Sequence, residues 1–89
     1  MGITIHEFAD IIDKNIIVIY YPNQDGRVSA SFEDCGVSDG VFFAREHGNG
    51  KSASDAIKDY KQKIEGKRIA FNAENNNIRQ EFVAPKFED

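Results

Sequence analysis

The most constraining feature of this chain is a pair of segments on either side of Gly26. Residues 16 to 21 read Ile-Ile-Val-Ile-Tyr-Tyr, β-branched or aromatic at every position. That is the composition of a strand covered on much of both faces. Pro22 ends it, because proline cannot donate to a sheet ladder, and Pro22-Asn23-Gln24-Asp25-Gly26 is rich in turn formers. From Arg27 to Glu33 polarity alternates strictly, with Val28, Ala30 and Phe32 on one side and Arg27, Ser29, Ser31 and Glu33 on the other. A period of two marks an antiparallel strand with one solvated face. The two segments therefore form a hairpin. Gly36 to Gly40 reads as the next turn, and Val41 to His47 as a third strand of a meander.

Helix signals flank this meander. Thr4 and Glu7 have capping-box spacing, Ile3 and Phe8 form a staple pair, and Ile5, Phe8, Ala9 and Ile12 share one helical face. The spacing predicts a helix over about 5–13. Ser52 with Asp55 opens a second helix over 53–65, whose stripe is Ala53, Ala56, Ile57, Tyr60 and Ile64, and Gly66 stands where a terminating glycine belongs. Residues 68–72 and 78–83 read as two more strands joined by the polar run Glu74-Asn75-Asn76-Asn77. The order is αβββαββ: an α+β fold with a single antiparallel or mixed five-stranded sheet and two helices on one face. Strand 78–83 is expected at an edge, because Arg79, Gln80 and Glu81 are poor core residues. An exposed edge permits a homodimer by sheet extension. With 89 residues the whole of 1–89 is expected to be one domain without a deep substrate cleft.

Charge narrows the partners. Eleven Lys and Arg against fifteen Asp and Glu give a net charge of −4, which disfavours indiscriminate binding to phosphate backbones. The front half is acidic and the back half balanced. Cys35 stands alone, and His6, Glu7 and Asp10 occupy the place of a signal peptide's apolar region, so a cytosolic (host cytoplasm) location is expected. The longest apolar run has six residues, where a membrane span needs about twenty.

Three groups of residues are candidate sites. Gly48-Asn49-Gly50-Lys51-Ser52-Ala53 fits G-x-G-x-x-A, but no parallel βαβ unit surrounds it. Gly50-Lys51-Ser52 also matches the end of a P-loop, yet Arg45 stands where its first glycine belongs. Gly48, Gly50, Lys51 and Ser52 are then either a phosphate-binding turn at a helix start or a tight structural turn. The second group is basic: Arg27, Arg45, Lys67, Arg68 and Arg79, which with Tyr20 or Tyr21 suit a stacking and phosphate-contact surface for single-stranded nucleic acid. The third is acidic: Glu33, Asp34 and Asp39, with Asp25 nearby, suited to a basic protein partner. Cys35, His6, His47, Asp34 and Asp39 include metal-ligand types but no ligand spacing. No catalytic set, cofactor or metal is expected.

The stretch from Gly48 through Asp55-Ala56-Ile57, then Gly66-Lys67-Arg68, Phe71-Asn72-Ala73, Arg79, Glu81-Phe82 and Pro85, resembles a group of small uncharacterised proteins of tailed bacteriophages and prophages of Gram-positive bacteria. The resemblance covers about the last 40 residues well and Glu7-Phe8-Ala9 more loosely. It implies a phage-infected cytoplasm rather than a mechanism. Phe32-Glu33-Asp34-Cys35 before a glycine turn and Ser54-Asp55-Ala56 more weakly resemble the N-terminal domain of HicB-type antitoxins, which neutralise a small basic ribonuclease. The expected function is a small, phage-borne, non-enzymatic module that binds a host or phage protein through a sheet edge or acidic loops. The alternative is a nucleic-acid-binding accessory protein of phage replication or transcription.

Overall fold

The computed structural model describes residues 2–38, 40–75 and 77–88. Helix α1 (Ile5–Ile12) begins as its caps require: Thr4 accepts from the Glu7 amide, and the Glu7 carboxylate accepts from the Thr4 amide. It ends at Asp13, whose φ of 57° is left-handed. Strands β1 (Ile16–Tyr21) and β2 (Arg27–Phe32) pair antiparallel in the expected hairpin, from Ile16↔Phe32 to Tyr21↔Arg27. Helix α2 (Ala53–Ile64) starts at the Ser52 cap and buries Ala56, Tyr60 and Ile64. The α+β class therefore stands.

The single five-stranded sheet does not. Among the described residues the strands form two antiparallel sheets, of three and four strands. Two local causes produce the division. First, the alternating strand breaks at Glu33-Asp34, where Asp34 takes a φ of 53°, so residues read as a turn become β3 (Cys35–Ser38) and leave the first sheet. Second, only the middle of the expected strand 41–47 forms, and a further strand follows it. β4 (Phe43–Arg45) pairs with β3, while β5 (Gly48–Gly50), read from sequence as a loop, pairs with β2. With β6 (Arg68–Phe71) and β7 (Gln80–Val83), the sheets run β1-β2-β5 and β4-β3-β6-β7. The element order is thus αβββββαββ.

The core lies where both sheets and both helices meet. Phe32, at the end of β2, makes edge-to-face contacts with Phe8 of α1, Tyr60 of α2 and Phe71 of β6, at centroid distances of 6.3, 5.9 and 5.7 Å. Such ring pairs add directional attraction to the burial of apolar area. A smaller cluster, Val28, Ala30 and Ala56, joins β2 to α2. The alternation in β2 is observed, with Val28, Ala30 and Phe32 all buried, although Ser29 on the other side is buried too because β2 is the central strand.

Two carboxylates tie elements together from the surface. Asp59 of α2 accepts from the Asn49 amide at 2.8 Å and pairs with Lys63 at 3.2 Å. Glu81 of β7 pairs with Arg68 and Arg79. The Asn49 amide lowers the Asp59 pKa first, and the Arg68 hydrogen bond lowers that of Glu81 first. Folded values below unfolded ones mean that this stabilisation is present above the ordinary carboxyl range and is lost as pH falls through it. Urea midpoints measured from about pH 6 to about pH 3 should therefore fall less steeply in an Asp59→Asn/Glu81→Gln variant than in the parent.

Candidate protein-interaction surface

β1 forms one edge of the three-stranded sheet, pairing only with β2 among the described residues. This corrects the expectation that 16–21 is covered on much of both faces. Ile17 is 37% exposed, Ile19 44% and Tyr20 65%. From Ile16 to Tyr21 the strand carries no charge, no proline and no break in register. Protected edges normally use one of these devices to prevent further pairing. Both edges of the four-stranded sheet carry charge, Arg45 on β4 and Glu81 on β7, and β5, the other edge of the three-stranded sheet, is three residues long with Gly48 and Gly50 against α2. β7 is an edge strand, as its polar residues predicted.

Alternation places Ile17, Ile19 and Tyr21 together on the sheet face away from α2, beside their partners Ser31, Ser29 and Arg27. Arg27 lies flat on Tyr21, 4.4 Å from the ring centroid, and its Nη1 donates to Asn49 Oδ1 at 3.0 Å. The guanidinium therefore flanks the apolar stripe on one side. The opposite side of the stripe is the open edge.

The acidic candidates are only partly gathered. Glu33 and Asp34 sit side by side, exposed, at the β2–β3 turn, while Asp39 lies outside the described residues. Asp34 pairs with Arg45 at 3.0 Å. A basic partner would have to compete with that arginine.

The basic candidates divide by sheet. Arg45, Arg68 and Arg79 share the outer face of the four-stranded sheet, where Arg68 and Arg79 lie 5.8 and 5.0 Å from the Phe43 ring centroid. Gly36 and Ala70, opposite one another on that face, keep its centre shallow. Arg79 is half-buried there, donating to Ala73 O at 3.5 Å and pairing with Glu81 at 3.0 Å. Arg27 belongs to the other sheet, and Lys67 is exposed in the turn before β6. All three arginines of that face have carboxylate partners.

Gly48 and Gly50 face α2. A Cβ on Gly48 would lie 2.0 Å from Ala56 O, and one on Gly50 2.6 Å from Asp55 Cβ. Close strand–helix packing thus accounts for both glycines. Lys51 donates to Asp25 O at 3.1 Å, and the Ser52 hydroxyl caps α2. Burial pushes the Cys35 thiol up to about 11, so it is protonated and a poor nucleophile at neutral pH. The described residues contain no group of three or more metal-ligand side chains, and no helix among them is long and apolar enough to cross a membrane.

Sequence reading missed the β1 edge, for which the missing charge between Ile16 and Tyr21 was the available signal. No protein-family model matches the chain, and neither a curated protein nor a solved structure matches it.

Proposed function

We propose that the chain is a small, non-enzymatic protein-interaction module that takes its partner along the β1 edge. The observation that carries this reading is the edge itself: six consecutive uncharged residues in a strand with one open side, with Ile17, Ile19 and Tyr20 exposed. An edge of this kind offers backbone donors and acceptors for strand addition and apolar side chains to either side of the new strand. The resemblance to phage and prophage proteins supports a host or phage protein in an infected bacterial cytoplasm as the partner.

A second reading rests on one observation, the convergence of Arg68 and Arg79 on Phe43, with Arg45 on the same sheet face. An aromatic ring among guanidiniums suits a stacked base and its phosphates. The net charge of −4 and the carboxylate paired to each arginine weigh against it.

Affinity capture from phage-infected lysate, with and without nuclease, separates the two. The module is expected to retain a protein after nuclease, to lose it in an Ile17→Lys/Ile19→Lys variant, and to keep it in Arg45→Ala/Arg68→Ala. Nuclease-sensitive capture that follows the arginines instead, with affinity falling steeply as salt rises, would establish the second reading.

A further inference from the structure

The contacts of α2 with the first sheet fall on β5 and β2, so the helix-facing side of β1 stays partly open. Alternation puts Ile16, Val18 and Tyr20 on that side. Tyr20, at 65%, is the most exposed residue of the strand. At the other end of β1 lies a cleft of about 260 Å³, apolar along Ile16, Val18 and Ile57 and polar along His6, Asp10 and Lys14. We propose that β1 pairs antiparallel with β1 of a second copy about a two-fold axis, and that each copy's Tyr20 seats in the other's cleft. This inference rests on the edge reading above and adds its regulation, because β1 cannot pair with a second copy and a captured partner at once.

Symmetry selects the register. Residues facing each other in an antiparallel pair share a sheet face, so a two-fold axis between identical strands must pass through a residue. An axis at Val18 sets Ile16 against Tyr20, Ile17 against Ile19 and Val18 against its own copy, and it leaves Pro22 outside the pairing. An axis at Ile19 would set Pro22, which ends the strand, against Ile16. An axis at Ile17 would set Tyr20 against Lys14, before the strand begins. Of the three, only the Val18 axis brings Tyr20 of one copy beside Ile16 of the other, at the cleft.

The chemistry of the cleft matches that occupant. Tyrosine has an apolar ring and a polar tip. The ring packs against Ile16, Val18 and Ile57, and the hydroxyl meets the side formed by His6, Asp10 and Lys14, which an aliphatic side chain would leave unmatched. Charge agrees. A two-fold contact sets an edge against itself, where like charges face each other and repel, and β1 carries none from Ile16 to Tyr21. On the opposite face Ile17 and Ile19, 37% and 44% exposed, cover their counterparts. Both faces and the edge backbone together bury on the order of 500 Å² per copy, below the ~800 Å² of a standard interface and near the ~1,000 Å² total of the smallest specific ones. The dimer is therefore concentration-dependent. In dilute solution the edge is open to a partner, and in concentrated solution a second copy covers it.

Sedimentation equilibrium of the full chain from ~5 µM to ~1 mM should show the average mass rising from monomer toward dimer. Isotope-filtered nuclear Overhauser spectra of mixed labelled and unlabelled chain are expected to connect the Tyr20 ring of one copy to the Ile16 and Ile57 methyls of the other. That measurement uses the unaltered protein, so it cannot fail through misfolding. Tyr20→Ala should weaken the dimer at least tenfold and Tyr20→Phe by less, with the amide spectrum of the monomer otherwise kept. A chain that stays monomeric throughout, a dimer whose filtered contacts lie on the four-stranded sheet, or a Tyr20→Ala dimer as strong as the parent's would overturn the proposal. The lysate capture separates this inference from the reading beneath it. If the chain stays monomeric while its lysate partner is still lost on Ile17→Lys/Ile19→Lys, the edge reading survives and the self-pairing does not. If the dimer forms with these contacts but the partner is indifferent to that variant, the self-pairing stands and the edge reading falls, and with it the competition. If the chain is monomeric and the partner indifferent, both fall.

Discussion

Replacing Gly48 by valine is expected to leave the chain unfolded at room temperature, and Gly48→Ala to lower its stability by about 3 kcal/mol or more. A Cβ at this position would sit 2.0 Å from Ala56 O, 2.4 Å from Tyr60 N and 2.6 Å from Tyr60 Cβ. Two of these atoms are α2 backbone, so relief requires separating β5 from α2. That separation would open the contact between β2 and α2 made by Val28, Ala30 and Ala56. Overpacking of an ordinary core site costs about 1–3 kcal/mol because side chains can yield; backbone yields less. A domain this small has only about 5 kcal/mol in total. Gly26 is the control: its φ is +69°, but nothing lies within 4 Å of its absent Cβ, so Gly26→Ala should cost only about 1 kcal/mol, from backbone strain. Urea titration followed by circular dichroism checks both. A Gly48→Ala protein with the parent's midpoint would show that the strand–helix approach does not require glycine.

Tyr60 is the second position of large effect. It is fully buried, its ring meets Phe32 at 5.9 Å, and its hydroxyl accepts from the Phe32 amide at 3.2 Å. Burial, first among its causes, holds the phenol well above its ordinary range, so at neutral pH it is a neutral acceptor. Tyr60→Phe keeps the ring and orphans a buried amide, at a cost of about 1–2 kcal/mol. Tyr60→Ala also removes the ring that fills the centre of the core, about 3–5 kcal/mol, and should abolish a cooperative transition. Thermal and urea unfolding of the two variants measure this. Equal midpoints for Tyr60→Phe and the parent would mean that the Phe32 amide finds another partner.

Both helices were legible because their start signals are local. Thr4 with Glu7 and Ser52 with Asp55 satisfy amides within one turn, and the apolar stripes agree with them. The β1–β2 register was legible for the same reason, since one turn and one alternation determine it. The division into two sheets was not. It depends on Asp34 taking a left-handed conformation, which aspartate adopts without the glycine that usually signals it. It depends equally on Gly48 and Gly50 forming a strand, where glycine is disfavoured unless another backbone approaches closely, as α2 does here.

The candidate surfaces show the same limit. Arg68 and Arg79 reach Phe43, and Arg45 shares their face, only because β3 pairs with β4 on one side and β6 on the other. The composition of 16–21 predicts a strand but not its neighbours. Whether such a strand is central or at an edge is a tertiary property, and the position of α2 over β5 and β2 decides how much of β1 stays open.

The most direct test of the β1 edge as the docking surface is amide hydrogen exchange, residue by residue, on the chain alone and saturated with the protein it captures. Strand addition predicts that alternate amides within residues 16–21, those pointing away from β2, exchange quickly in the free chain and slowly in the complex. Protection that appears instead around Phe43, Arg45 and Arg68, with β1 exchanging as fast as before, would contradict the account.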